Sequence, residues 1–468
     1  MLTYTFDDLE GETLYMHLYR CIRSDILSGK LAPGTKLPSK RSFASHLGVS
    51  VVTVENAYSQ LQSEGFIYSR PKSGFYVASI PSDQAADQPE AEENPGRIAT
   101  GVRPAQPKLS LASSRTAEEN FPFSLWAKLM RDVLSQNQKA LMTPSPAGGI
   151  PELRQAIAQH LRQFRSMDVQ PEQIIVGAGT EYLYSLLIQL LGYEKKYAVE
   201  APGYQKLTRI YESHHVECIH VPLDSSGIDI SYLREHGADV AHISPSHHYP
   251  TGMVTPIRRR YELLAWAGQA EDRYIIEDDY DSEFRLSGRP IPTLQSIDRG
   301  ESVIYMNTFT KTLSPTIRIS YMVLPRHLLR KFFQNLGFYS CTVSNFEQYT
   351  LARFISEGHF ERHINRMRTH YRAIRDGLIT ALKESSFGGQ IQIRNADSGL
   401  HFLLYLDTDI PDQELLRRAA EQGLGLSFLS QYQVLEKPGP QHTMIVSYAG
   451  LHQEEIDQAV KILEKCLS

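Results

Sequence analysis

Cysteine is scarce: four in 468 residues, Cys21, Cys218, Cys341 and Cys466, far apart and with no CxxC spacing. That excludes a zinc ribbon and a disulfide-stapled scaffold. With no secretory leader recognised ahead of them, the expectation is reduced thiols in a cytoplasmic protein. Long apolar runs are missing too. None approaches the ~20 residues of a membrane-spanning helix, so no membrane partner is expected. A positive excess is also absent: the formal charge of -5 excludes a protein basic over its whole surface, and any contact with nucleic acid must be local. No internal repeat is found. What is present is an apolar content of 41%, ample for packing. The length suits roughly three compact units at about 150 residues each.

Residues 13–28 carry Leu14, Leu18, Ile22 and Ile26 at a spacing of four, the stripe of an amphipathic helix that Gly29 and Pro33-Gly34 end. Ser39, in Leu37-Pro-Ser-Lys-Arg41, can cap a short helix to about Leu47. The Gly48-Val-Ser50 turn leads to a second helix from about Val51 to Glu64, closed by Gly65. Phe66-Ile-Tyr68 and Phe75-Tyr-Val77 flank Arg70-Pro-Lys72-Ser-Gly74 and read as a hairpin wing. Between residues 13 and 78, eight Lys or Arg stand against three acids, a local +5. In a helix-turn-helix the second helix enters the major groove by its first residues. That assigns Ser50, Thr53 and Asn56 to base edges, and Lys40, Arg41 and Lys72, with the cap residue Ser39 beside them, to the phosphate side. A small helical dimerisation module is the alternative. The order of elements over residues 10–78 resembles the winged helix-turn-helix of GntR-type regulators, which implies binding to double-stranded DNA. Val51 and Val52 depart from that pattern, standing where those proteins usually have a polar or basic pair.

From residue 79 to about 108 the composition turns to Pro, Ala, Gln and acid, without apolar periodicity. This reads as a flexible linker, about 30 Å end to end for its ~30 residues. From 109 to 468 strand-like and helix-like segments alternate. They predict a mostly parallel sheet covered by helices, with one long helical region over 346–384 and a smaller α+β part over about 350–468. The expected fold class is α/β, behind an N-terminal helix-turn-helix domain over 1–78.

Lys311 follows the apolar run Val303-Ile-Tyr-Met306 in Asn307-Thr-Phe-Thr-Lys-Thr-Leu-Ser-Pro-Thr-Ile-Arg318. A lysine at a strand end can form a Schiff base with an aldehyde, and Thr308, Thr310 and Arg318 can hold a phosphate. Four further segments end strands. Gly177-Ala-Gly179-Thr180 opens a helix and can accept a phosphate dianion. Glu277-Asp278-Asp279-Tyr280-Asp281 offers an acid for a pyridine nitrogen and a tyrosine hydroxyl for a phenolic oxygen. It could instead be a solvated acidic loop or a divalent-metal site. Ala201-Pro-Gly203-Tyr204 can stack an aromatic ring or simply turn. Ser244-Pro-Ser-His247-His248-Tyr-Pro-Thr-Gly252 has two histidines but no third metal ligand at suitable spacing, so no metal is expected.

In this order, at successive strand ends where open sheets gather ligands, the segments resemble fold-type-I aminotransferases over about 109–468, with Gly149-Ile-Pro-Glu-Leu-Arg154 matching a motif near their start. The resemblance implies pyridoxal 5'-phosphate (PLP) carried on Lys311. Asp278 then pairs with the pyridine nitrogen, Tyr280 contacts the phenolic oxygen and Tyr204 stacks. Gly179, Thr180, Thr308, Thr310 and Arg318 hold the phosphate.

Both halves together, with Glu277 to Phe284 and Thr308 to Pro315, resemble the MocR/GabR regulators over nearly the whole chain. That implies a homodimer in which an amine, an amino acid or PLP acts as effector on a DNA-binding transcription factor. An active aminotransferase with an appended DNA-binding domain is the second reading, and a constitutive DNA binder that uses PLP for stability the third. Amino-acid-handling relatives commonly clamp a carboxylate with an arginine, but residues 421–450 contain none, and Ile445 stands about where it would be. Lys206 or Arg209 is the substitute effector contact, or the effector lacks a carboxylate.

Overall fold

The computed structural model describes residues 2–6, 11–79, 107, 109–112, 118–286, 288, 291–397, 399–435 and 441–468. The chain divides into two compact units, Met1–Arg103 and Pro104–Ser468. The expected linker, 79–108, lies almost wholly outside the described residues.

In the first unit, α1 (Leu14–Leu27), α2 (Lys40–Leu47) and α3 (Val51–Ser63) precede the antiparallel hairpin β1 (Ile67–Arg70) and β2 (Gly74–Val77), in register from Ile67 opposite Val77 to Arg70 opposite Gly74. Leu18, Ile22 and Ile26 of α1 bury against Phe43, Val54, Tyr58 and Leu61. Leu14, expected in that stripe, is 40% exposed. Both expected helix starts are capped. Ser39 Oγ accepts from Ser42 N at 3.2 Å, and Ser50 Oγ accepts from Thr53 N at 3.0 Å. Gly48, in the left-handed region at φ 68°, makes the turn between the two helices.

The second unit is built on an eight-stranded sheet. A short strand β3 (Leu109–Ser110) comes first in the chain and pairs elsewhere. The sheet uses β4 (Ile174–Gly177), β5 (Lys196–Ala201), β6 (Glu217–Asp224), β7 (Gly227–Ile228), β8 (Val240–Ile243), β9 (Tyr274–Asp278), β10 (Val303–Thr308) and β11 (Ser320–Val323). Their order is β4-β11-β10-β9-β8-β5-β6-β7. β10, β9, β8, β5 and β6 run parallel, while β11 is antiparallel to both of its neighbours. The central strands are buried on both faces, as parallel sheets under helices are. β4, antiparallel to β11, runs with those five, so six strands end on the same edge, and the β10–β11 turn carrying Lys311 lies there too.

Helices α4 (Phe123–Gln136), α5 (Gln138–Leu141), α6 (Pro151–Arg165), α7 (Thr180–Leu191) and α8 (Gln205–Ser213) come before and among the first strands. The long helical region expected over 346–384 is two helices, Asn345–Ser356 and His359–Glu384. Gly358, in the left-handed region at φ 71°, breaks it where an apolar pattern continuing across the break hid the turn. Near the C-terminus β12 (Ile391–Arg394), β13 (His401–Leu406) and β15 (Thr443–Ser447) form a three-stranded antiparallel sheet, and β14 (Leu424–Gly425) pairs with β3. One apolar core runs from Leu109 and Ile174 to Phe402 and Leu463, so the C-terminal part is packed into the second unit.

Candidate functional site

At the phosphate side, α7 starts directly after β4, and its first N–H groups carry no intrahelical partner. Gly179 caps it at φ 95°, and a Cβ there would fall 2.5 Å from Nη2 of Arg318. Only glycine lets that guanidinium lie against the helix end. Thr310 N donates to Thr308 Oγ1 at 3.1 Å, and Ser320 Oγ donates to the same oxygen at 2.8 Å. Arg318 Nη2 also donates to Glu181 Oε2 at 2.7 Å, and Lys206 forms an ion pair with the same carboxylate. Hydrogen bonds from Lys206 and then Arg318 hold Glu181 below the usual carboxylate range, against the opposing effect of its burial. These groups make a cationic, donor-rich corner at a helix N-terminus, suited to a dianion.

Strand alternation sorts the acids of 277–281 by face. Glu277 is fully buried and accepts from Leu294 N at 2.8 Å and Gln295 N at 2.9 Å; burial pushes its carboxyl up to about 7. Asp279 is buried against Arg165 at 2.7 Å and accepts from Tyr305 Oη at 2.7 Å and Ser282 Oγ at 2.8 Å. Both are committed to the fold. Asp278 points to the opposite face, into a cavity of about 350 Å³. Its Oδ2 accepts from Tyr184 Oη at 2.6 Å, with His242 Nε2 at 3.7 Å, while its buried Oδ1 has no partner. A buried unpartnered carboxylate oxygen at the cavity wall is what a protonated ring nitrogen requires.

Lys311 lines the same cavity, with Tyr280, Tyr204, Thr180, Thr308, Thr310 and Arg318. Burial pulls its amine below the ordinary lysine value, and the negative charge of Asp281 opposes that shift. A lysine so dehydrated is a better nucleophile near neutral pH. Tyr280 Oη lies 3.2 Å from His247 Nδ1, which also pairs with Asp281 at 2.9 Å. His401, from β13, packs on the His247 ring at 4.6 Å. It is the third side chain that the sequence spacing did not reveal: ligand atoms of His247, Asp281 and His401 lie within 4.8 Å of one another. The His247–Asp281 hydrogen bond accounts for that pair without an ion. Lys206 lines the cavity, but Arg209 does not. It is exposed on α8, three residues further on.

In the first unit the expected DNA contacts divide. Arg41, Asn56 and Lys72 are exposed, Lys72 at the tip of the β1–β2 hairpin with φ 59°. Ser39 and Ser50 spend their side-chain oxygens on helix caps, and the Ser50 and Thr53 hydroxyls lie 2.8 Å apart. Lys40 is not a free cation. Its Nζ pairs with Glu55 at 2.6 Å and sits over the Phe75 ring, because α2 and α3 bring the two charges together. Val51 and Val52 face solvent at the start of α3, 43% and 62% exposed, and their side chains offer no hydrogen bond.

Residues 106–463 match the family model "Aminotransferase class I and II", and residues 14–77 match "Bacterial regulatory proteins, gntR family". The chain is 37% identical over 460 residues to the uncharacterized HTH-type transcriptional regulator YdeL of Bacillus subtilis, covering 96% of each. It is 33% identical to the probable rhizopine catabolism regulatory protein MocR of Rhizobium meliloti, over 96% of this chain and 93% of that one. The chain belongs to the MocR-type transcriptional regulators. Among solved structures, the multiple substrate aminotransferase of Thermococcus profundus is similar, with a TM-score of 0.68 at 25% identity, covering 78% of this chain and 92% of that one. The second unit of this MocR-type chain thus has the fold-type-I aminotransferase fold, whose cofactor is PLP, behind a GntR helix-turn-helix.

Motif reading passed over several residues of the MocR-type site. Tyr184 is four residues after Thr180, so one face of α7 carries both, and helical spacing could have found it. His242, on β8, reaches Asp278 only through strand neighbours. Ser320 reaches Thr308 across the antiparallel β10–β11 pair. Glu200, at the end of β5, lines the cavity, accepts from Ser244 N at 2.9 Å and faces His248 Nε2 at 3.6 Å.

Proposed function

We propose that this protein is a DNA-binding transcriptional regulator whose aminotransferase-like domain senses a small molecule through Lys311, acting as a homodimer in the cytoplasm. The amine, the unpartnered Asp278 Oδ1 and the α7 N-terminus meet in one cavity, and that conjunction carries the reading. When bound, PLP would supply an aldehyde carbon able to bond an amine, with Lys311 as the residue that would hold it. Asp278 would hold a proton on the ring nitrogen, with Tyr184 fixing its other oxygen. Tyr280, oriented by His247, addresses the phenolic oxygen, and Tyr204 covers the ring. Gly179, Thr180, Thr308, Thr310 and Arg318 hold the phosphate. Arg41, Asn56 and Lys72 contact DNA, with Ser50 and Thr53 fixing the start of the reading helix.

Releasing Lys311 frees a buried amine near Asp281 and so gives the effector a differential interaction with two states of the domain. Moving a 1:99 equilibrium to 99:1 takes about 5.5 kcal/mol of such preference. The test is Lys311→Ala in the full chain: the lysine-dependent cofactor absorbance band and the effector response should vanish while DNA binding remains. A normal effector response in that variant would refute the reading. The aminotransferase reading is weaker, since Ile445 is buried among Leu403 and Leu429 where an amino-acid substrate needs a cation. Steady turnover of an amino donor with a keto acid would reinstate it.

A further inference from the structure

The charges around the cavity are unevenly committed. Among the described residues lining it, the lysines and arginines are Lys206, Lys311 and Arg318. Lys206 and Arg318 both pair with Glu181, and Arg318 lies against the α7 N-terminus, at the dianion corner. Lys311 is the covalent anchor. Three acids line the same space, Glu181, Asp278 and Asp281, beside Glu200, whose carboxyl burial pushes up to about 8 and so keeps protonated near neutral pH. A bound phosphate adds further negative charge. A carboxylate brought in by a ligand would lose its water, meet no uncommitted guanidinium and face these acids, an arrangement that burial makes costly.

Another part of the wall is apolar and aromatic. Ile445, 2% exposed on β15, packs with Leu403 and Leu429, and Tyr432 lies against them. Tyr204 and Tyr249 meet edge to face with centroids 6.2 Å apart. Tyr249 lines the cavity, and its hydroxyl is satisfied by that of Tyr432, 2.6 Å away. Such a wall stabilises an aromatic or aliphatic tail, and its ring faces attract a cationic amine on approach.

We infer that the effector is a primary amine with an aromatic or apolar tail and no carboxylate. The inference rests on the regulator reading above and narrows it to one class of ligand. In that class the amine meets Lys311 and its carbon, while the tail lies along Tyr249, Leu400 and Ile445.

The test pairs two probes that differ only in the carboxylate, 2-phenylethylamine and L-phenylalanine, against the PLP-loaded full chain. Displacement of the lysine-dependent absorbance band and calorimetric binding are both followed. The amine should half-saturate at a concentration lower by roughly tenfold or more. Ile445→Arg, which places a guanidinium on that wall, should shift the preference toward phenylalanine. Equal or tighter binding of phenylalanine to the wild type overturns the inference, whatever the variant does. So does a band that neither probe displaces, or a response to excess free PLP alone; these leave the regulator reading standing. If no Lys311-dependent band forms on loading with PLP, both readings fall together.

Discussion

At the scale of single residues, burial decides which acids do chemistry and which hold the fold. Asp278 and Asp279 each keep one buried oxygen unpartnered, but Asp278 lines the cavity, while Asp279, its neighbour, is buried against Arg165. Asp278→Asn removes the charge opposite the ring nitrogen. It should weaken PLP retention about tenfold to a hundredfold, the range of a charged hydrogen bond, as read by spectrophotometric titration. Asp279→Asn should leave Arg165 uncompensated and cost about 3–5 kcal/mol of stability in denaturant melts. Glu200 gives a pH-dependent signal. Burial pushes its carboxyl up to about 8 from an ordinary 4.5, a shift that the Ser244 N–H opposes and Asp278 reinforces. A raised folded-state value means the folded form binds the proton more tightly, so stability is full below about 4.5 and is lost as pH rises through about 8. Burial pushes His248 down to about 3, so its own contribution runs the other way, lost as pH falls from about 6.5 toward 3. Glu200→Gln should therefore gain on the wild type between pH 5 and 8, by on the order of 1 kcal/mol per pH unit. A pH-independent difference in melting temperature would contradict this.

At the scale of elements, periodicity was legible and its consequences were partly so. The capped starts of α2 and α3 were readable because Ser39 and Ser50 precede apolar-periodic helices, and the structure has both caps. The alternation along β9 was equally present in the sequence, yet which face looked at the cavity depended on what packs behind it. The split at Gly358 was missed because a glycine between two apolar-periodic segments reads as one tolerated defect. In α2 the pairing of Lys40 with Glu55 leaves Arg41 as the exposed cation. Arg41→Ala should lower DNA affinity across all sequences and reduce the salt slope by about one ion, measured by binding at several salt concentrations. Lys40→Ala should have the smaller effect, and a reversed ranking would show that the Glu55 pair opens on DNA.

At the scale of the molecule, two units with separate apolar cores stand in one chain. A ligand that binds one folded unit stabilises that unit by mass action. Calorimetric unfolding should accordingly show two transitions, with PLP at 100 times its dissociation constant stabilising the larger unit by about 2.7 kcal/mol and leaving the smaller one unmoved. A single transition that shifts as a whole would mean the units unfold together.

Local pattern alone determined the helix-turn-helix with its wing, the alternation of strands and helices, and the strand-end motifs around Lys311, because capping, turn chemistry and hydrophobic period are set by residues a few positions apart. Tertiary structure alone decided the partners drawn from distant strands. It set Tyr184 and His242 near Asp278, Ser320 beside Thr308, and His401 against His247; it also paired Lys206 with Glu181 at the cavity and left Arg209 outside its lining. The reason is physical: a side chain's burial, charge and neighbours follow from strand order and helix packing, which bring together residues that no local spacing relates.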